Sequence, residues 1–170
     1  TGEMRSSKLF SDSGVASHAF SPDGKHLLIG TGDGALLQSV NDFSAEPIEL
    51  LRPEGNAIES LSFSADGGVL AVGISDAPFR LWSMERGEWI ETDAPSTDNY
   101  EYRLSRLAIS PDGELLAGNN GKIMDLKKGE VRGDMEGVKY NAASVAYSPN
   151  GELIAASMGD GMIFLHGPYG

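Results

Sequence analysis

The sequence predicts an all-β fold of four repeated antiparallel sheets, arranged as a β-propeller. A tetrapeptide built on Ser-Pro-Asp-Gly carries this prediction because it recurs four times, beginning at Ser21, Ser64, Ser110 and Ser148. The copies begin 43, 46 and 38 residues apart, and a period of about 40 to 45 residues built of short strands is typical of propeller blades. No segment shows a helical periodicity of useful length, which leaves strands as the repeated element.

The first two strands of each repeat flank the tetrapeptide. The preceding strand is predicted at 15–20, 58–63, 104–109 and 142–147. The tetrapeptide itself is a turn, since Pro fixes φ and Gly accepts a positive φ. The following strand is predicted at 26–30, 69–73, 114–118 and 152–156. Its near-continuous apolar runs suit a strand that is buried on both faces.

A third and a fourth strand complete the repeat. Turns rich in Gly, Asp and Asn lead into third strands at 35–40, 79–82, 122–126 and 162–166. Looser fourth strands are predicted at 47–51, 88–91 and 130–132. Four strands in each repeat predict propeller blades. The chain is therefore expected to be one propeller segment, 1–170, with blades at about 14–53, 57–93, 103–133 and 142–170.

These repeats resemble the blades of WD-repeat β-propellers, whose third strand ends in a Trp-Asp pair after an Asp-Gly turn. The most similar stretch runs from Ile58 to Trp82 and includes the Asp66-Gly67 turn. The resemblance covers nearly the whole chain. It implies that Trp82 has a structural role in its blade and that three turn residues brace their turns by side-chain hydrogen bonds. These turn residues are Asp33, Asp76 and Asp160.

The repeats also depart from the WD-repeat pattern. The Trp position of the third strand is assigned to Ser39, Leu126 and His166 in the other three repeats, and the family's Gly-His pair is absent from every repeat. The buried Asp-His-Ser-Trp network that this family often uses is therefore expected to be complete in no blade.

The first residues of the chain resemble the beginning of a fourth strand. Residues 1–5, Thr-Gly-Glu-Met-Arg, match residues 128–132, Lys-Gly-Glu-Val-Arg, whereas the repeat at 142–170 supplies three strands. A strand within 1–10 is therefore expected to close the last blade, within one chain or across two, because an open edge exposes unpaired backbone. Three arrangements stay open at this point: a fragment of a larger ring, a homodimer that forms an eight-bladed ring, and a four-bladed ring closed on itself.

Composition argues against several classes of partner. The net charge is −12 and no basic run occurs, which disfavours binding to nucleic acid and to anionic membrane surfaces. The chain has no cysteine, which excludes disulfides, zinc–cysteine sites and thiol catalysis and favours a cytoplasmic location. The longest apolar runs, of about five residues, are far shorter than the roughly 20 that a membrane-spanning helix needs.

No residue pattern indicates catalysis, a cofactor or a metal. His18 takes the position of apolar residues in the sister repeats and is expected to be a buried core histidine, and His166 is expected to be structural. We therefore predict no catalytic residues, no metal site and no enzymatic activity. One alternative is open: Leu165–Gly170 resembles the His-Gly-Gly-Pro segment of prolyl-oligopeptidase-type peptidases, which would place a catalytic domain outside this chain. One Gly of that segment is missing, and no Gly-x-Ser-x-Gly motif is present.

One segment is longer than a connection between two blades needs to be. The connection at 92–103 contains Tyr100, Tyr102 and Arg103, residue types that are enriched at the energetic centres of interfaces. The WD-repeat resemblance places it on the face that usually receives ligands, and the alternative is that the tyrosines only pack the loop onto the rim.

The function predicted from the sequence is a protein–protein interaction scaffold within a larger protein, with a protein or peptide as partner. Two alternatives remain: a propeller that accompanies a catalytic domain, and a structural subunit that assembles through its blade edges.

Overall fold

The computed structural model describes residues 6–91, 104–138 and 142–168. The strands in these ranges are β1 Val15–Phe20, β2 His26–Thr31, β3 Ala35–Ser39, β4 Ile48–Leu51, β5 Ile58–Phe63, β6 Val69–Ile74, β7 Arg80–Ser83, β8 Glu88–Ile90, β9 Leu107–Ile109, β10 Leu115–Gly118, β11 Lys122–Asp125, β12 Glu130–Asp134, β13 Ser144–Tyr147, β14 Ile154–Ser157 and β15 Ile163–His166. No helix occurs in the described ranges.

The strands form four antiparallel sheets in simple sequence order. Blade 1 contains β1–β4, blade 2 contains β5–β8 and blade 3 contains β9–β12. Blade 4 contains β13–β15 among the described residues. The first strands of successive blades are neighbours, β1 beside β5, β5 beside β9 and β9 beside β13. This arrangement confirms the predicted all-β propeller with four blades.

The four Ser-Pro-Asp-Gly turns share one hydrogen-bond pattern. In the first copy the Ser21 hydroxyl donates to Asp23 Oδ1 at 2.6 Å and accepts from the His26 amide at 2.9 Å. The same two bonds recur at Ser64, Ser110 and Ser148, where Asn150 takes the acceptor role in the last copy. The first three serines are buried. A buried hydroxyl is stable only when its hydrogen bonds are made, so the turn closes around it.

This pattern corrects the predicted start of two second strands by one residue. The amide of each turn serine donates to the carbonyl five positions on, which places His26, Val69, Leu115 and Leu153 at equivalent positions. The repeat pattern in the sequence predicts Glu114 and Glu152 at these positions instead. Both glutamates belong to the turn, because their amides donate to the Asx oxygen two residues earlier.

The Trp position of the third strand is also corrected. Trp82 lies opposite Leu70 in its blade, and the residues opposite the equivalents of Leu70 are Gln38, Met124 and His166. The assignment of Ser39 and Leu126 to this position was wrong, since the turn before the third strand differs in length from blade to blade. Gln38 is fully buried, and its side-chain amide donates to the carbonyls of Ser39 and Asp42.

Apolar side chains pack between consecutive blades rather than within one of them. One cluster joins blades 1 and 2, a second joins blades 2 and 3, and a third joins blades 3 and 4. The first strands are also tied directly across blades 2 and 3. The Ser60 hydroxyl donates to the Ser105 carbonyl at 2.8 Å and accepts from the Leu107 amide at 3.1 Å. A blade is therefore held mainly by its neighbours.

Candidate interaction surfaces

Each blade has two faces with different neighbours. We call the face turned toward the preceding blade the leading face, and the face turned toward the following blade the trailing face. Antiparallel partners lie on the same face, so the register assigns each side chain to one of them. Equivalent positions can then be compared from blade to blade.

The trailing face is buried in blades 1 to 3 and open in blade 4. Leu37, Leu81 and Ile123 lie opposite Leu28, Ala71 and Ala117 and are buried against the following blade. Their equivalent in blade 4 is Leu165, opposite Ala155. Leu165 is 65% exposed, and Ile163 on the same face is 67% exposed. Leu165 is a large apolar residue like its buried equivalents. Its exposure differs because no following blade covers it within the described residues.

The leading face shows the converse pattern. Leu61, Leu107 and Val145 are buried against the preceding blade. Their equivalent in blade 1 is His18, which is exposed. The prediction that His18 is a buried core histidine is therefore wrong, because within the described residues no blade covers this face. Val15 and Phe20 beside it are 52% and 63% exposed.

Residues 6–13 cover the outer part of this leading face. Lys8 Nζ donates to the Ala45 carbonyl at 2.6 Å. The ring of Phe10 packs edge-on against Phe43, with 5.7 Å between centroids. Residues 6–10 form no strand. The closing strand predicted within 1–10 thus depends on residues 1–5, which lie outside the described residues, and it stays a prediction.

Asp33 joins this segment to blade 1. The hydroxyls of Ser11 and Ser13 donate to Asp33 Oδ2 at 2.6 and 2.8 Å. These two hydrogen bonds, from Ser11 first, hold the pKa of the Asp33 carboxyl below its usual value. The Asp33 side chain therefore bonds to the segment at residues 11–13 rather than within its own turn. Within that turn, Thr31 Oγ1 accepts hydrogen bonds from the backbone amides.

The other predicted structural residues lie in the turns and on the rim. Asp76 has a φ of 52°, a left-handed conformation that Asp tolerates better than most residues. Asp160 Oδ1 accepts from the Met162 amide at 3.0 Å within its own turn. Trp82 packs edge-on against Trp89 of the fourth strand, with 5.0 Å between centroids.

The three predicted partner-binding residues, Tyr100, Tyr102 and Arg103, lie outside the described residues. The chain re-enters the described part at Leu104, which is fully buried in the interface between blades 2 and 3.

Two charged contacts were missed by the sequence reasoning. Arg106 and Glu59 form an ion pair of 3.5 Å that bridges blade 2 and the approach to the first strand of blade 3. Arg80 lies over the Trp89 ring, 5.2 Å from its centroid. The first pair joins residues far apart in sequence, so no local motif marks it. The second could have been found from the hairpin register that places Trp89 opposite Trp82.

A depression of about 340 Å³ lies along the first strands of three blades. It is lined by the first strands and turns of blades 2, 3 and 4, including Ala65, Pro111 and Pro149. Its lining carries no charged side chain. In the described ranges, no group of three or more His, Asp or Glu residues could hold a metal ion, and no helix is long and apolar enough to cross a membrane.

Comparison with known proteins identifies the repeats. The family described as WD domain, G-beta repeat matches residues 5–37 and 137–166. A chain of the solved structure described as Crystal Structure of Mitotic Checkpoint Complex superposes on 95% of this chain with a TM-score of 0.73 at 16% identity. Two repeats of this chain thus match WD repeats, and its fold is a β-propeller. The chain spans 49% of that structural neighbour.

The curated relatives of this chain are similar to it at low sequence identity. Telomerase protein component 1 of Mus musculus is 27% identical over 118 residues, which are 66% of this chain and 4% of that protein. WD repeat-containing protein SL1-17 of Schistosoma mansoni is 29% identical over 117 residues, 66% of this chain and 37% of that protein. Apoptotic protease-activating factor 1 of Homo sapiens is 28% identical over 81 residues, 45% of this chain and 6% of that protein.

Proposed function

We propose that this WD-repeat propeller is a protein-interaction module within a larger protein, which displays loops on one face of a rigid array of blades. The observation that carries the proposal is the unbroken packing from blade to blade. Three apolar clusters and the Ser60 hydroxyl bridge fix each blade against the next. Loops attached to such a frame lose little conformational entropy on binding, which favours affinity.

The proposed binding face carries the turns between second and third strands and the connections between blades. Asp33, Asp76 and Asp160 lie in those turns. The connection at 92–103 lies outside the described residues, and its assignment to this face rests on the resemblance to WD repeats. Tyr100, Tyr102 and Arg103 of that connection are the proposed anchors, since Tyr and Arg are enriched among residues that dominate binding energy. The proposed partner is a protein or peptide, because the charge of −12 opposes nucleic acid.

The relatives support this class of function in general terms. WD40 propellers generally act as protein-interaction scaffolds, and the structural neighbour is a component of a crystallised protein complex. Its identity to this chain is low, so its own partners are not transferred. We further propose a cytoplasmic location, which rests on the cysteine-free composition.

We also propose that this chain has no catalytic activity of its own. The residue types that usually carry catalysis have structural surroundings here. Asp23, Asp66 and Asp112 accept from the turn serines. His166 stacks on Phe164 with 6.4 Å between centroids, and it continues β15 within blade 4. Leu165 and His166, which begin the segment that resembles a peptidase, therefore have a simpler explanation as part of a blade strand.

The proposal is tested by replacing Tyr100, Tyr102 and Arg103 together with Ala. Partners captured by the unmodified chain under stringent washing would be identified, and the affinity of the captured protein would then be titrated for both forms. We expect at least about a tenfold loss of affinity, because a few aromatic and Arg side chains carry most interface energy. The melting temperature should stay unchanged.

A matched control uses Arg86→Ala with Glu88→Ala. These side chains form an exposed ion pair of 3.4 Å at the turn between β7 and β8. That turn lies at the opposite end of β7 from the proposed face, so its loss should leave affinity unchanged. Equal affinity of the triple variant and the unmodified chain would remove the connection at 92–103 from the proposal. A loss caused by the control pair would move the site to the other face.

A further inference from the structure

A cavity of about 240 Å³ lies between blades 1 and 2, at the end of the blades where the Ser-Pro-Asp-Gly turns lie. This volume is below the roughly 300–1,000 Å³ of sites that take whole small molecules, so the cavity suits a single side chain of a partner. The turns between second and third strands lie at the other end of the blades, which places the cavity opposite the proposed binding face. Its lining consists of Ser21, Pro22, Asp23 and His26 of blade 1 and Asp66, Gly67 and Met84 of blade 2.

One residue that lines this cavity departs from the repeat pattern. His26 begins β2, where the equivalent residues are Val69, Leu115 and Leu153. Val69 packs on the apolar cluster between blades 2 and 3, and Leu115 is buried between blades 3 and 4. Apolar side chains therefore help to fill these two interfaces. Between blades 1 and 2 an imidazole lines the cavity instead, which adds a polar group that packing does not need.

Two carboxylates line the cavity, one from each blade. Asp23 and Asp66 each use Oδ1 to accept from the turn serine and from a backbone amide two residues later. The Ser21 hydroxyl is the main cause that lowers the pKa of Asp23 to about 2, and the Ser64 hydroxyl is the main cause that lowers the pKa of Asp66. Both carboxylates are therefore charged at neutral pH.

The cations around these two carboxylates differ. Asp23 Oδ2 lies 3.5 Å from Lys25 Nζ in an exposed ion pair, and pairs of this kind contribute little and can be displaced. Asp66 has Gly68 at the position of Lys25. Among the described residues no cation pairs with Asp66, and neither its Oδ2 nor the His26 imidazole makes a hydrogen bond. The cavity thus presents negative charge and acceptors that no donor of the described chain uses.

We propose that this cavity receives an arginine side chain of a partner protein. A guanidinium has five N–H donors in a planar fork and is always charged, so it can donate to the carboxylates of Asp23 and Asp66 and to the His26 ring. The apolar stem of the arginine packs on Pro22 and Met84, as the stems of long cationic side chains commonly do. Met84 itself packs on the apolar cluster between blades 1 and 2, which holds this part of the lining in place.

The lining favours arginine over lysine. Its acceptors come from two blades and include two carboxylates, which a planar guanidinium can engage through two parallel hydrogen bonds each. A lysine ammonium has three donors and is more strongly hydrated, so it loses more on leaving water.

This inference adds a contact on the opposite face of the proposed interaction module and does not depend on the connection at 92–103. The tests of the two proposals share no residue. Failure of one therefore leaves the other standing.

The test is an NMR titration of the full chain with acetyl-arginine-methylamide. The ring signals of His26, identified by their loss in His26→Gln, should shift and saturate with a dissociation constant on the order of 1 mM, since one side chain makes few contacts. His18 and His166 do not line the cavity, so their signals should stay in place. The lysine counterpart should bind at least about threefold more weakly, and the uncharged glutamine counterpart should cause no shift.

A variant of the carboxylate that lacks a cation tests the charge of the cavity. Asp66→Asn should weaken binding of the arginine probe by at least about fivefold, because a charged acceptor becomes a neutral one. The turn should stay intact, since Asn150 accepts from Ser148 at 2.7 Å in the equivalent turn of blade 4. The matched control is Asp112→Asn, which makes the same change in the turn of blade 3, outside the lining. This control should leave the affinity unchanged, and melting temperatures should show that both variants fold.

Four results would each contradict the proposal. A titration that leaves the His26 signals in place would show that the cavity does not accept the side chain. An equal shift with the glutamine probe would show that positive charge is not recognised. Equal affinity for the lysine and arginine probes would replace arginine recognition by a general attraction of cations. Equal losses in Asp66→Asn and Asp112→Asn would assign the attraction to the net charge of −12 rather than to the cavity.

Discussion

The interface between blades 2 and 3 and the open face of blade 4 present the same type of surface in two different situations. Leu81 is buried between two blades, and its equivalent Leu165 is 65% exposed. Both lie opposite an alanine in the neighbouring strand. Residue type therefore does not decide burial in this fold; the presence of a following blade does.

The largest difference between these surfaces should appear when the leucine is shortened. Leu81→Ala removes buried methyl groups and leaves a cavity, so we expect the free energy of unfolding to fall by about 2–5 kcal/mol. Leu165→Ala removes side-chain atoms that are mostly in water in the single chain, so we expect a change within about 0.5 kcal/mol. Chemical denaturation at low protein concentration measures both. Equal losses would contradict the comparison.

Gly73 provides a second test of the packing between blades, because the backbone of blade 3 lies close to it. A Cβ added at Gly73 would collide with the Ser105 carbonyl of blade 3 and with the Ser60 hydroxyl. Gly159, in a turn of blade 4, would place its Cβ in open space. We expect Gly73→Ala to cost about 1–3 kcal/mol through overpacking and Gly159→Ala to cost much less. Thermal unfolding of both variants checks this, and a Gly73→Ala chain of normal stability would argue against the blade contact.

The turn serines test the hydrogen bonding within a single blade. Ser64→Ala removes a buried hydroxyl that bonds to Asp66 and to the Val69 amide, and it leaves those partners short of a bond. We expect a loss of about 1–3 kcal/mol. The control is Ser44→Ala, whose hydroxyl bonds to Asp42 on the exposed surface. If both variants lose the same stability, burial of the turn hydroxyl is not what holds the turn.

The smallest expected effect is a change in acid stability. The Ser21 hydroxyl, followed by the Lys25 amide, lowers the pKa of Asp23 to about 2, and turn serines likewise lower the pKa of Asp66 and Asp112. A carboxyl whose folded pKa lies below its unfolded value of 3.8 stabilises the fold above that pH. This contribution is lost as the pH falls from 3.8 toward about 2.

A triple variant isolates these carboxyls. Asn150 already makes the equivalent contact in blade 4, accepting from Ser148 at 2.7 Å, so Asn preserves the turn. Chains carrying Asp23→Asn, Asp66→Asn and Asp112→Asn should stay folded at neutral pH. Their stability should vary less with pH in the acid range, which denaturation at several pH values would show. An unchanged acid dependence would assign it to other groups.

The propeller fold could be predicted from the sequence because its turns need particular residues. A Ser with an Asx residue two positions later forms the same two bonds in every copy, so the motif is both repeated and local. The Trp position of the third strand was mispredicted in two blades because residues of very different types fill it. Gln38, Trp82, Met124 and His166 all occupy it, and only strand register identifies them.

The exposure of His18 and the cross-blade ion pair could not be predicted for a different reason. Both depend on which blade lies beside which, and a repeat alignment treats every repeat as if it had two neighbours. Leu61, Leu107 and Val145 are buried at the position of His18, so the alignment favours a buried histidine. Arg106 and Glu59 meet only after blades 2 and 3 have packed.

The most direct test of the account is the accessibility of single thiols placed at equivalent positions. The chain contains no cysteine, so Leu81→Cys, Ile123→Cys and Leu165→Cys can each be labelled without background. At high dilution we predict that the thiol at position 165 reacts nearly as fast as in the unfolded chain, whereas those at 81 and 123 stay protected until the protein unfolds. Equal protection at all three positions would contradict the account, because it would show that the trailing face of blade 4 is covered within a single chain.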